Sequence, residues 1–436
     1  MRALSCLFLM AGVGLTLLSS PLLGANGASR VAQQRVLEVT AGKLPSARGI
    51  KIKRLSLVRW RNGGFEPVPF QIDELDEHDL VWFDKSEHER QGDPGVFDAR
   101  DELMALFRDA GEKAPDGEDP GQGRVLAELE VLNPAGDSLY FYLVRDHEPR
   151  SPVHYVEHNV ESGVTRTPWY RLEVDPENEL NWRHLGYRGY EGDGSIIDTL
   201  KMRMSAGVLS RFTRMTLTNR NLDPRLLGLK TGPIRSVMHL ETRVVISGIP
   251  VMTMQVQALR YPAHYEAHTY AEIPFMYRAT LKEPRVSVSM DGHEQYGARV
   301  KTARAGDLVG RVDGRMDDQE RKLVERGLST DEDWILFDSG KNFSLLTLLE
   351  VPKPLSGIPL GLIYQDNEDK EVKPERYPGQ LPNLGYQIRG WPPDDKMRFA
   401  VKLLFDQSFH GLPPQRYASL RTDQGDWVRI HPRAPE

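Results

Sequence analysis

The sequence predicts an all-β protein: a small N-terminal β-sandwich-like domain, then a larger β-sandwich domain, with few short helices. Three observations predict it. Apolar and polar residues alternate with period two through many short segments, as they do when one face of a strand is buried. Clusters of Gly, Pro, Asn and Asp punctuate those segments. Only one segment carries a clear set of helix start and stop signals.

In chain order, "IKIKRLSLVRW" (50–60) reads as the first strand. The following "RNGG" (61–64) reads as a hairpin turn, because Asn-Gly accepts the positive φ that such turns need. "FEPVPFQID" (65–73) returns as the partner, and its prolines Pro67 and Pro69 suit an edge or a bulge. Further strands are expected over 124–132, 138–146, 169–175, 200–207, 210–219, 234–248 and 250–261. The series continues over 334–338, 344–351, 361–366, 385–391 and 397–405. The helix is "DDQERKLVERGLS" (317–329), with acids in its first turn, bases later and Gly327 as a stop; Leu323 and Val324 should face a sheet.

The N-terminus reads as a secretory signal. Arg2 precedes an apolar run from Leu4 to Leu18, and Pro21 leads into small residues that suit cleavage after Gly27 or Ala28. The expected organisation is a signal peptide over 1–28, an N-terminal β domain with an acidic loop over 29–150, and a C-terminal β-sandwich domain over 151–436. Cys6 is the only cysteine and lies in that leader, so the mature chain would have neither disulfides nor thiol ligands. Removing Arg2 takes the basic count from 56 to 55 against 62 acidic residues, a formal charge of −7. With no basic block, nothing points to nucleic acid. No later segment approaches membrane-spanning length. The expected setting is periplasmic or secreted, in a bacterium.

The densest chemistry lies in "PVPFQIDELDEHDLVWFDKSEHERQGDPGVFDARDEL" (67–103). Calcium requires six to eight oxygen ligands on a flexible loop, and Asp73, Asp98, Asp101 and Glu102 are the candidates here. An EF-hand pattern fails, because Arg90, Gly92 and Pro94 stand where Asp or Asn belong. Ca2+ is thus the one cofactor the stretch suggests, beside a reading in which these carboxylates are hydrogen-bonded parts of the loop. "PVPFQIDE" followed by "GVFDARDELMALFRDAG" resembles the N-terminal signature of secreted, β-rich bacterial proteins. That resemblance implies no activity. It implies that Gln71, Asp73, Asp101 and Glu102 belong to one structural unit joining two strands.

Two pentapeptides share a form, "HYVEH" (154–158) and "HYEAH" (264–268). In each, two imidazoles fall four residues apart and so on one face. His154, His158, His264 and His268 brought together would suit zinc or copper. "RYPAHYEAHTYAEIPFMYR" (260–278) is rich in Tyr and His, with arginines at its ends. Arg260, Tyr261, His264, Tyr265, His268, Tyr270 and Arg278 form the candidate carbohydrate-facing surface. "TGPIR" (231–235) leads into a long strand. The chain has no nucleophile elbow, no P-loop and no dinucleotide glycine pattern.

These features point to an exported, non-enzymatic binding or envelope-associated protein with polysaccharide as ligand. A polysaccharide lyase or hydrolase on the C-terminal sandwich is the alternative. A metal-dependent periplasmic enzyme using the paired histidines is a second.

Overall fold

A computed structural model describes residues 21–85, 88–98, 100–133, 137–367, 380–393, 395–422 and 427–433. The apolar run and Cys6 of the expected leader lie outside these residues. The helix Pro21–Gln33 runs through the expected cleavage position, with Ala28 and Val31 buried against Tyr417 and Leu420.

The architecture is all-β. In the first module, a five-stranded sheet (Val428–Pro432, Arg124–Leu132, Ser138–Arg145, Leu55–Arg61, Gly64–Pro67) accompanies a three-stranded one (Val36–Thr40, Glu102–Leu106, Gln71–Asp73). Leu37, Leu57, Phe97, Leu103, Leu129 and Phe141 pack as one core between them. The second module is larger. Its nine-stranded sheet runs Leu222–Thr231, Ser236–Ile246, Ile249–Arg260, His264–Glu272, Lys396–Asp406, Ser344–Glu350, Ile335–Asp338, Arg299–Thr302, Gly310–Arg311. A five-stranded sheet containing Ile197–Val208 and Leu281–His293, and a four-stranded one containing Asn178–Tyr187, share with it a core that includes Trp182, Tyr265, Tyr386, Phe399 and Phe405.

Local signals act as expected in two places. The turn after Leu55–Arg61 has φ of 54° at Asn62 and 80° at Gly63, the positive pair that Asn-Gly accepts. The helix occupies Asp318–Arg326: Asp317 accepts from the Glu320 amide at 2.8 Å and Glu320 accepts back from the Asp317 amide at 2.9 Å, a reciprocal cap. Leu323 is buried in the large core and Val324 packs against it.

Elsewhere the structure corrects the sequence reading. The predicted strand 65–73 is two strands in two sheets: Gly64–Pro67 closes the hairpin, and Gln71–Asp73 pairs with Glu102–Leu106. Pro67 still pairs opposite Val58 and the Val68 amide donates to the Leu57 carbonyl at 3.0 Å; the chain then crosses between sheets over Pro69 and Phe70. The strand expected from residue 50 begins at Leu55, because Ile52–Arg54 forms a short 3-10 turn. The chain also does not divide cleanly near 150. Val428–Pro432 returns to pair with Arg124–Leu132, with Val428 opposite Val131, so the last strand completes the first module.

The two modules meet at a buried polar clamp. Gln71 Oε1 accepts from the amides of Ile234 and Arg235 at 3.1 and 2.9 Å, and Gln71 Nε2 donates to Asp73 Oδ2 at 2.9 Å. Arg235 Nε donates to Asp73 at 2.7 Å, and Lys230 Nζ lies 2.5 Å from its other oxygen. Arg235 also reaches Glu102 at 3.1 Å and Tyr261 Oη at 2.5 Å. "PFQIDE" and "TGPIR", two separate motifs in the sequence, are therefore each other's partners. Gly232 is part of the fit, since a Cβ there would come within 2.3 Å of Gln71 Oε1.

Desolvation works against ionisation of Asp73, but Arg235 and Lys230 outweigh it and hold the carboxyl below its ordinary range. Its stabilising effect is thus present above the ordinary value of 3.8 and is lost as pH falls through the lower folded value. Glu102 behaves oppositely. Desolvation first, then the Glu38 carboxylate, push it up to about 7, so through this group stability falls as pH rises from 4.5 toward about 7.

Asp73→Asn leaves Arg235 buried without its main counter-charge and should cost about 3–5 kcal/mol in urea unfolding at pH 7. A loss under ~1 kcal/mol, the range of an exposed ion pair, would contradict this account of the clamp. Glu102→Gln should gain stability relative to the wild type at pH 8 and lose that advantage near pH 5; thermal unfolding at both pH values checks the sign.

Candidate binding cleft

Alternation along His264–Glu272 sets the chemistry of the junction. Tyr265 and Ala267 turn into the large core, while His264, Glu266, His268 and Tyr270 lie on the opposite face, toward the first module. There Glu266 is the hub. His268 Nε2 lies 2.7 Å from one of its oxygens, with His264 Nε2 at 3.4 Å and Lys402 Nζ at 3.3 Å from the other. Lys402 also meets Glu350 at 3.0 Å. The His264 ring stacks on Tyr261 with centroids 4.0 Å apart, and Tyr261 Oη donates to Glu38 at 3.3 Å.

His264, Glu266, Lys402 and Glu350 floor a cleft of about 170 Å³ between the two modules. Its far wall is formed by Gln34 to Glu38, Lys43 and Phe107 of the first module, with Arg421 and Trp427 from the chain's end. The Arg35 guanidinium lies 4.9 Å from the Trp427 ring centre and 5.3 Å from that of Phe107. Arg421 donates to Gln34 at 2.8 Å, which donates in turn to Asp406 at 3.2 Å.

Charge states follow from burial and neighbours. Burial opposes ionisation of Glu266, but Lys402 and the two imidazoles win and hold its carboxyl well below the usual range. Lys402 is desolvated as well, yet Glu266 and Glu350 push its pKa up, so it stays charged. Desolvation lowers His264 despite Glu266, which favours its neutral ring at pH 7. The cleft thus offers fixed donors, fixed acceptors and an aromatic side within one small volume.

The residues predicted to form one sugar-facing surface divide between faces. His264, His268 and Tyr270 share the junction face, and the Tyr261 ring packs under His264. Arg260 and Tyr265 are paired across the ladder and point into the sandwich, where Arg260 is fully buried against Glu179 and Tyr265 packs edge-on to Trp182. Arg278 sits on the short helix Phe275–Thr280, donating to the Pro392 carbonyl at 3.0 Å. The reason is the two-residue period: neighbours in a strand cannot share a face.

The four histidines do not gather either. His154 is exposed, and His158 Nδ1 lies 2.9 Å from Thr165 Oγ1. His158 lies on Glu157–Asn159, an edge strand of the four-stranded sheet, whereas His264 and His268 belong to the nine-stranded sheet; desolvation, then the Arg260 charge, push His158 down to about 3. The proposed calcium ligands are likewise occupied with other partners. Asp73 and Glu102 flank Arg235, Asp98 accepts from the Asp93 amide at 2.6 Å, and Asp101 accepts from the Asp98 amide at 2.8 Å. These carboxylates neutralise a cation or close a loop, and do not converge on one point.

Among the described residues, the side chains whose metal-binding atoms do converge are Glu77, His78 and His88, within 4.8 Å of one another. The two rings lie edge-to-face at 4.2 Å, and His78 stacks on Tyr270 at 4.4 Å. That aromatic packing already accounts for their proximity. The sequence reading passed over them because the two histidines stand ten residues apart in a loop. It also passed over Glu38, Glu350, Lys402, Arg421 and Trp427. Only Lys402 left a trace: a lysine amid the apolar run "MRFAVKLLF".

Neither a family model nor a curated protein matches the chain. Among solved structures it is similar to an alpha-mannosidase from Enterococcus faecalis V583, at 8% identity and a TM-score of 0.48. It is also similar to a glycosyl hydrolase family 38 protein from Enterococcus faecalis, at 9% identity and a TM-score of 0.49. Each match covers 92% of this chain, which spans 44% and 46% of those two chains respectively. A galactose mutarotase-like protein from Clostridium acetobutylicum is similar over 58% of this chain and 98% of its own, at 8% identity and a TM-score of 0.33.

Proposed function

We propose that this is an exported saccharide-binding protein whose ligand enters the cleft between the two modules. The observation that carries the reading is the composition of the cleft. Trp427 and Phe107 give it an aromatic side, and Glu38, Glu350, Lys402 and Arg421 give it acceptors and donors. A sugar ring has an apolar face and a rim of hydroxyls that both donate and accept, so it needs both kinds of lining. The volume suits a single monosaccharide-sized unit, with the rest of a longer chain outside.

Binding is favoured over acid–base catalysis by the state of Glu266. A general base works best with a pKa near the operating pH. Glu266 is held far lower by Lys402 and the imidazoles, so it is a good hydrogen-bond acceptor and a weak base. Glycoside hydrolysis also needs one carboxyl raised enough to donate a proton. Glu102, raised to about 7, contacts Arg235 in the clamp and does not line the cleft.

A glycan array with the purified protein should give binders, and titration calorimetry on the best of them should show one site per chain. Trp427→Ala should weaken that affinity about tenfold, the usual scale for a buried aromatic anchor. The bound saccharide should be recovered uncleaved after prolonged incubation. No binding to any glycan, or unchanged affinity in Trp427→Ala, would refute the cleft as the site; cleavage would replace binding with catalysis.

A further inference from the structure

One end of the large sandwich is built differently from the rest of the surface. The five most exposed large apolar side chains among the described residues are Phe212 and Phe275 (both 83%), Leu209 (79%), Ile249 (66%) and Met276 (63%). All five lie at this end. Leu209 and Phe212 occupy the loop after Ile197–Val208, Ile249 opens the strand after the 247–248 turn, and Phe275 and Met276 begin the Phe275–Thr280 helix. The loops are tied together: the Leu209 amide donates to the Thr280 carbonyl at 3.2 Å, and Tyr277 Oη donates to the Val251 carbonyl at 2.7 Å. Behind this lip lies an apolar cavity of about 160 Å³, lined by Met204, Leu217, Val244, Tyr277 and Trp391 among others.

Charge distinguishes the lip further. The segments 208–214 and 273–285, which carry both phenylalanines, contain Arg211, Arg214, Arg278, Lys282 and Arg285 against the single acid Glu283. Glu272 and Asp395 adjoin these segments, the Asp395 carbonyl accepting from the Ile273 amide at 2.6 Å, and the cations still outnumber the acids. Arg211 lies over the Phe212 ring, 4.9 Å from its centre. An apolar patch of this kind on a soluble surface marks an interaction site. Here the apolar residues stand on three separate connections, and the two that carry the phenylalanines also carry the cations.

We propose that this end docks on an anionic lipid bilayer, with Phe212, Phe275 and Met276 entering the interface while Arg211, Arg278 and Lys282 meet headgroup phosphates. Bulky apolar side chains beside Lys and Arg are the composition that suits such an interface, and anionic headgroups supply the complementary charge. Insertion of a few exposed side chains with headgroup contacts is a peripheral, reversible mode of attachment.

Co-sedimentation of the full chain with vesicles tests this. The protein should pellet with phosphatidylcholine–phosphatidylglycerol vesicles and bind pure phosphatidylcholine about tenfold more weakly, with binding reduced by high salt. The double variant F212S/F275S should bind about tenfold more weakly while keeping its thermal midpoint, because both rings are already in solvent. The charge reversal R211E/K282E provides an independent variant and should lose the preference for the anionic vesicles. Failure to pellet with either vesicle, or wild-type binding by both variants, would overturn the proposal. So would a dimer in analytical ultracentrifugation that F212S/F275S dissociates, since the lip would then serve a second copy of this chain.

Discussion

The structure depends on one buried ionic clamp, in which Asp73 sits between Arg235 and Lys230 with Gln71 bracing the backbone beside it. Burying an arginine without a counter-charge is expensive, and burying a carboxylate alone is no cheaper. Each module supplies the group that makes the other tolerable. The clamp therefore fixes the relative position of the modules more tightly than apolar packing alone, which tolerates sliding. The cleft inherits its shape from that constraint, because its floor belongs to one module and most of its far wall to the other.

Arg235 extends this logic toward the cleft. It reaches Tyr261, Tyr261 reaches Glu38, and the same ring stacks beneath His264. A row of polar contacts thus runs from the clamp to the floor of the cleft. Groups in such a row hold one another's orientation, which pre-organises the lining of the cleft.

Much of the fold was legible in the sequence, and the reasons are local. The period-two pattern, the Asn62-Gly63 turn and the Asp317–Glu320 cap each depend on residues a few positions apart. What could not be read was which strand belongs to which sheet. "FEPVPFQID" looks like one strand because alternation continues through it, and only Pro69 marks where the chain leaves one sheet for the other. The site was legible in part. "HYEAH" drew notice for its histidines, yet its center of action is Glu266, whose importance comes from Lys402 on the neighbouring strand. Arg260 looked like a ligand-binding residue because its burial against Glu179 depends on a contact 81 positions away. Asp73 and Glu102 share Arg235, a partner that lies far along the chain, while Asp98 and Asp101 close the local loop.

The return of Val428–Pro432 to the first sheet carries a consequence for how the protein is made. A growing chain cannot finish its N-terminal module as it emerges, because the edge that closes that sheet is translated only after the whole of the larger module. Until then the Arg124–Leu132 strand presents unpaired backbone groups to its surroundings, a template for wrong partners. The two modules are in this sense interlocked like a belt through its own buckle, and assembly must wait for that strand.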